Sequence, residues 1–269
     1  MFWRISSILF ILLFATAFTH TATIENSGEN RYKAIRLTPE VYNNANRNLS
    51  DLRITDASGE YVPFFIHSDN FVESFIPDFR TEEEGRFTHI HIEGLKHLRL
   101  SEIIIDTDSM FRRTVEARSF NIRRELYNLP LGDEVSRDTS MLLEGNISWD
   151  DIFTLIIHNG DDRPINITGI TVIYYADELI FENNDSAIFT LHFGAGSSVQ
   201  APVYDIARFS DEILRLDIDR LEIGRIVFEE IQPEPEPEPR DFRMIFNIVV
   251  IAVAVLLGLL ILLKLRKSV

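Results

Sequence analysis

Hydrophobic and polar positions divide the chain into four stretches. There is a short apolar run near the start, a long stretch of brief apolar bursts, a proline–glutamate repeat, and an unbroken apolar run near the end. In the long stretch the period is two. In Phe87-Thr88-His89-Ile90-His91-Ile92, for example, Thr88, Ile90 and Ile92 fall on one face of a strand, and Phe87, His89 and His91 on the other. The pattern predicts strands over Arg31–Leu37, Leu52–Thr55, Tyr61–Ile66, Phe71–Ile76, Phe87–Ile92, Leu98–Asp106 and Thr114–Ile122. It predicts further strands over Ser140–Glu144, Asp151–His158, Ile165–Tyr175, Glu178–Phe181 and Ala187–Phe193, and in pieces over Ile213–Ile231. Turn signals separate them at Asp56-Ala57-Ser58-Gly59, Asn159-Gly160-Asp161-Asp162 and Asn183-Asn184-Asp185. No amphipathic helix of ordinary length competes. Many short strands joined this way predict an all-β fold, a β-sandwich or jelly-roll ectodomain, with a single C-terminal transmembrane helix. The run Glu82-Glu83-Glu84-Gly85 interrupts the pattern and suggests a boundary between an N-terminal β region at 23–84 and a sandwich at 85–231.

The ends set the expected location. Arg4, the apolar run Ile8–Phe14 and small residues at Ala15-Thr16-Ala17 read as a signal peptide over 1–22, cleaved after Ala17 or Ala22. From Met244 to Leu263 the chain is apolar apart from Asn247, and Lys264, Arg266 and Lys267 follow. Twenty residues at about 1.5 Å each span roughly 30 Å, enough to cross a bilayer with the basic tail (264–269) on the cytoplasmic side. Gln232–Pro239 alternates proline with glutamate, which excludes helix and sheet, so 232–243 reads as a stiff spacer. The expectation is a single-pass type I membrane protein with an extracytoplasmic N-terminal body.

Composition narrows the classes. The net charge is −16 over 269 residues, and the exported portion Thr23–Arg240 carries 41 acids against 21 bases. This argues against nucleic acid as a partner, which would need clustered cations. The 20 Phe, the 7 Tyr and a 45% hydrophobic content supply a core, so the chain is not disordered as a whole. With no cysteine, no disulfide staples the exported body, which favours a bacterial cell envelope.

Three segments resemble a family of bacterial envelope proteins known as a domain of unknown function. They are Tyr32–Phe64 (YKAIRLTPEVYNNANRNLSDLRITDASGEYVPF), Trp149–Ile173 (WDDIFTLIIHNGDDRPINITGITVI) and Leu191–Phe209 (LHFGAGSSVQAPVYDIARF). The family's Gly-Asn is here Gly194-Ala195-Gly196, and its Leu after Asp is Ile206. Leu98–Phe181 also resembles discoidin or galactose-binding-like jelly rolls. These likenesses imply a sandwich that hosts sugar binding, lipid binding or scaffolding, and they imply fold more firmly than activity.

Candidate chemistry is sparse. His89 and His91 share a strand face, with His97 six residues on, but no third zinc ligand is evident, and solvent-facing histidines are the better reading. Asp106-Thr107-Asp108 and Asn159-Gly160-Asp161-Asp162 offer oxygen donors for calcium, or ordinary Asx turns. Gly194–Ser198 resembles a phosphate loop only in its glycines and reads as a flexible turn. Arg112, Arg113, Arg118, Arg123 and Arg124 form a patch for an acidic polymer or solvated edge-strand charge. Trp149 is a core anchor or a sugar-stacking platform, the former being favoured. There is no cysteine nucleophile, G-x-S-x-G elbow or H-E-x-x-H, so no enzyme is expected and no catalytic, cofactor or metal residue is assigned. Ala252, Ala254 and Gly258 put small residues on the span, a hint of helix packing. The expected function is a membrane-anchored extracytoplasmic binding module for envelope glycan or protein. The alternatives are an accessory subunit of a membrane complex and, behind it, a cell-wall glycan hydrolase.

Overall fold

Alternation becomes burial where the pattern is cleanest. In Phe87–Glu93, Thr88, Ile90 and Ile92 are buried while Phe87 is exposed. The computed structural model describes residues 18–131, 134–196 and 199–228, and, in helical conformation, Val250, Ile251, Val253, Val255 and Leu257. Contacts divide the chain into two units, Met1–Glu230 and Ile231–Val269. The first is predominantly β-sheet. Its strands are β1 (His20–Glu25), β2 (Tyr32–Arg36), β3 (Arg53–Asp56), β4 (Phe64–Phe75), β5 (Phe79–Glu84), β6 (Phe87–Glu93), β7 (Arg99–Thr107) and β8 (Phe111–Ala117). They continue as β9 (Ile122–Leu131), β10 (Glu134–Asp138), β11 (Ser140–Ile147), β12 (Ile152–His158), β13 (Ile167–Glu182), β14 (Ile188–Phe193), β15 (Ile218–Leu221) and β16 (Ile226–Phe228). Two short helices, α1 (Pro39–Asn44) and α2 (Ser210–Ile213), complete the described elements together with 3-10 turns.

The strands form three sheets, with orders β16-β1-β14-β3, β10-β9-β8-β12-β6-β5 and β11-β7-β13-β2-β15, β4 pairing with β13 in the last. β13 organises the body. Its first half, Ile167–Tyr175, pairs with β7, and its second half, Glu178–Glu182, pairs with β2, while β4 runs antiparallel along Val172–Phe181. Because β4 overlaps both partners in register, β7 and β2 must follow one another along the opposite edge, and the sheet splits between them.

This arrangement corrects the predicted organisation. The N-terminal strands do not form a region of their own: β1 lies between β14 and β16, β2 pairs in parallel with β15, and β3 pairs with β14. The acidic run taken for a boundary is strand β5 and its hairpin to β6, with Gly85 at φ +60° in the turn. β5 sits at the edge of its sheet with nearly every side chain exposed, so it shows no apolar face in the sequence. The strands expected at Tyr61–Ile66 and Phe71–Ile76 are largely one strand with a bulge, because Ser68 opposes Asp177 while Phe71 opposes Ala176. Ile165–Tyr175 and Glu178–Phe181 likewise merge into β13.

One core cluster contains Ile24 and Ile54 from the N-terminal strands, Ile90, Val115 and Leu155 from the central ones, and Phe189 from β14. The Phe181 and Phe189 rings meet edge to face at 4.9 Å and join β13 to β14. A smaller cluster of Tyr32, Ala34, Phe65, Ile180 and Ile213 is roofed by Ile206 and Leu214. Most of the expected span Met244–Leu263 lies outside the described residues, as do 1–17 and the proline–glutamate repeat. Among the described residues no helix is long and apolar enough to cross a membrane.

Candidate functional site

Three loops meet around Trp149. It sits in the turn between β11 and β12, His97 in the turn between β6 and β7, and Arg47 in the loop between α1 and β3. The backbone binds two of these turns together, since His97 N–H donates to Ser148 O at 2.8 Å and Ser148 N–H to Leu98 O at 3.0 Å. The third loop is held from beneath by Asp51, fully buried, which accepts the Asn46 N–H at 2.8 Å and the Gly194 N–H at 2.9 Å. Asn43 Nδ2 donates to Gly94 O at 2.9 Å.

Trp149 is 46% exposed, so it is a surface side chain and the core-anchor reading fails. The Arg47 guanidinium carbon lies 3.9 Å from the indole centroid, and the His97 ring is tilted against it at 6.0 Å. Two non-glycine residues in these loops have left-handed backbones, Leu49 at φ 55° and His97 at φ 65°. Such conformations cost of order 1 kcal/mol each and concentrate at functional loops. The acids beside Trp149 are engaged elsewhere: Asp151 accepts from Lys96 Nζ at 2.6 Å and Asp150 from Ser119 Oγ at 2.8 Å. The Lys96 ammonium, with a smaller contribution from His97, holds the Asp151 carboxyl below its ordinary range. Arg47 makes no ion pair with the described residues. An indole rimmed by hydrogen-bonding groups can take the C–H face of a sugar or a flat organic surface.

A second site lies where the sheet splits. A cleft of about 480 Å³ opens there, lined by Arg36, Leu37, Thr38, Glu73, Tyr174, Arg220, Leu221, Glu222 and Ile223. Beside it the Glu178 carboxylate, 2% exposed, takes three donors on Oε1: Arg36 Nη2 at 2.9 Å, Arg36 Nε at 3.3 Å and Arg220 Nε at 2.9 Å. Arg36 is also paired with Glu73 and sits 4.9 Å over the Phe71 ring. Further along β2, Lys33 is fully buried, donating to Asp219 at 2.7 Å and to the carbonyls of Ser27 and Gly28. Sequence reasoning missed both clusters. Their available signal was charge inside a mostly apolar strand, Lys33 and Arg36 in Tyr32–Leu37 and Asp177 and Glu178 in Tyr174–Phe181, because a charge buried there must be paired.

The other predicted residues serve the framework. His89 and His91 stack at 6.2 Å and are mostly covered, at 20% and 17% exposure, with Glu84 and Glu82 at 3.5 and 3.4 Å, so they are not solvent-facing. Among the described residues no cluster of His, Asp or Glu is arranged to hold a metal ion. Asp106–Asp108 forms a turn clamp in which Thr107 Oγ1 donates to Asn166 O and Asn166 Nδ2 to Asp108. Asn159 is buried and ties Thr88 to Arg113. Asp161 pairs with Arg86 at 2.9 Å. It follows the C-terminal end of β12, whereas Trp149 precedes its start, so the two do not converge.

The arginine patch is largely engaged within the body and lies within the sheet, on and between β8 and β9, not on an edge strand. Arg112 pairs with Glu125, Arg118 and Arg123 with Glu116, and Arg124 with Asp138, while Arg113 bonds Asn159 and the Arg163 carbonyl. Arg123 first, then His158 and Arg118, hold the Glu116 carboxyl down to about 2. Gly194 is pinned through Asp51 and through Thr19 Oγ1, which donates to its carbonyl at 3.0 Å. Ser197 and Ser198 lie outside the described residues, as do Ala252, Ala254 and Gly258.

No family model, curated protein or solved structure matches this chain.

Proposed function

We propose that the chain is a membrane-tethered extracytoplasmic recognition module of a bacterial envelope, binding glycan through the loops around Trp149. The observation that carries the reading is the half-exposed indole itself, with Arg47 over one face and left-handed Leu49 and His97 in the surrounding loops. A buried tryptophan would need no such frame. Stacking on a sugar ring gives affinity, and the flanking Arg47 and His97 supply directional hydrogen bonds. The reading is binding without turnover.

The tether is the apolar run Met244–Leu263 with its three trailing bases, and the proline–glutamate spacer holds the body off the bilayer. The three sheets and their common core support the sandwich character implied by the galactose-binding-like resemblance. The start of β1 at His20, with Ala22 fully buried, supports cleavage of a leader after Ala17, since cleavage after Ala22 would remove half a core strand.

The test is a glycan array probed with the full chain in detergent micelles. Specific sugar binding is expected, lost in Trp149→Ala and kept in Asp161→Ala. No sugar binding, together with a defined membrane partner whose capture needs the 244–263 segment, would replace this reading with that of an accessory subunit.

A further inference from the structure

Arg220 stands beside the cleft at the sheet split in an unusual state of commitment. Its Nε is fixed on the buried Glu178 carboxylate at 2.9 Å, which sets the plane of the guanidinium. Its terminal nitrogens make no hydrogen bond or ion pair with the described residues, and the side chain is 58% exposed. Arg36 is different: Nε and Nη2 are on Glu178 and Nη1 is on Glu73. One guanidinium is thus spent on the framework and the other is oriented by it with its fork left open. A fork held by a buried carboxylate is pre-organised for a planar anion, because little rotamer freedom remains to be lost on binding.

We propose that this cleft is a binding site for a small organic acid, with its carboxylate taken bidentately by Arg220 Nη1 and Nη2. The walls select the rest of the ligand. Half-buried Ile223 offers apolar surface to a short carbon skeleton, with the buried Leu37, Leu221 and Tyr174 side chains as its apolar backing. Thr38, on the same wall, has a buried hydroxyl with no hydrogen-bond partner, which a hydroxyl or amide on the ligand satisfies after rotation about one bond. Glu73 and Glu222 also line the cleft, so a second negative charge on the ligand meets repulsion. This favours a monocarboxylate over phosphate or a polyanion. The site is separate from the Trp149 loops and does not depend on glycan binding there.

The experiment is calorimetric titration of the full chain in lipid nanodiscs with three probes: N-acetyl-L-alanine, its uncharged amide, and inorganic phosphate. Saturable binding of the acid is expected, with the amide and phosphate weaker by about tenfold or more. Arg220→Lys should weaken the acid by a similar factor, because a point ammonium lacks the fork. Trp149→Ala should leave it unchanged. Thermal unfolding of Arg220→Lys checks that the fold survives, and Glu178→Gln, which frees the orientation of Arg220 while keeping its shape partner, should weaken the acid as a second variant. The proposal is overturned if the amide or phosphate binds as tightly as the acid, if Arg220→Lys binds the acid as the parent does, or if no saturable binding occurs up to about 10 mM, tenfold above a millimolar dissociation constant.

Discussion

The Tyr42 hydroxyl donates to Asp177 Oδ2 at 2.8 Å and accepts the Asp177 backbone N–H at 2.7 Å. Asp177 lies where β13 has lost β7 and not yet gained β2, and the Leu37 N–H donates to its carbonyl at 2.9 Å. A side chain from α1 thus stands in for the missing strand. Burial first, and then the Asp177 carboxylate, push the Tyr42 phenol well above its ordinary value, so it stays a donor throughout the physiological range. Tyr42→Phe removes a buried hydroxyl that both accepts the half-buried Asp177 N–H and donates to its carboxylate, and should cost about 1–3 kcal/mol in urea unfolding. Tyr61→Phe, at a ring 59% exposed, is the control and should stay within about 0.5 kcal/mol. Equal midpoints for the two variants would show that the split is held by something else.

Trp149 and Phe153 are four residues apart and should behave oppositely. Phe153 is fully buried in the main core, and Phe153→Ala should destabilise by about 3–5 kcal/mol. Trp149→Ala removes a larger ring from the surface and should change stability by less than about 1 kcal/mol while abolishing ligand binding. A large loss of stability in Trp149→Ala would restore the core-anchor reading.

The two tryptophan readings show what alternation can and cannot reveal. β6 was legible because buried Thr88, Ile90 and Ile92 alternate with the more exposed Phe87 and the partly covered His89 and His91, which writes a period of two into Phe87–Ile92, and β12 because its run Ile152–Ile157 is apolar apart from Thr154, as a strand covered on both faces requires. β5 was not, because an edge strand with both faces exposed carries Arg80, Glu82, Glu83 and Glu84 without conflict. β13 seemed to end at Ala176-Asp177-Glu178, since a polar pair inside an apolar run looks like a turn. The groups that satisfy it, Tyr42 for Asp177 and Arg36 and Arg220 for Glu178, come from far away along the chain. Local periodicity holds no record of them. The exposure of Trp149 also depends on its neighbours in space, a turn whose position follows from where β11 and β12 pair.

Acid should weaken the body partly through Glu116. Its carboxyl falls from an ordinary 4.5 to about 2 in the folded chain, chiefly through Arg123 and then His158. Between those values the unfolded chain binds more protons, so the contribution is present above about 4.5 and is lost as pH falls toward 2. Unfolding midpoints of parent and Glu116→Gln should therefore differ at pH 6 and converge near pH 2. A gap that stays constant with pH would mean that Glu116 acts through packing alone.

Gly194 and Gly196 separate conformational need from loop softness. At Gly194, φ is +79° and an added Cβ would fall 2.2 Å from Thr19 Oγ1 and 2.8 Å from His20 Nδ1, whereas at Gly196 nothing lies within 4 Å. Gly194→Ala should cost about 1–3 kcal/mol and Gly196→Ala close to nothing, measured by thermal unfolding. Two neutral substitutions would mark the segment as a plain flexible turn.

The placement of β1 between β14 and β16 has a temporal consequence. Its hydrogen-bonding partners, ending at Phe193 and Phe228, come late in the chain, after every strand from β2 to β13, while the intervening segment from β5 to β12 can pair locally. Any delivery of the chain from its first residue to its last therefore releases His20–Glu25 as a naked sticky edge long before its neighbours exist. Closure of that layer waits for the entire body to emerge, which makes for slow, non-local folding and a long window of exposure to aggregation.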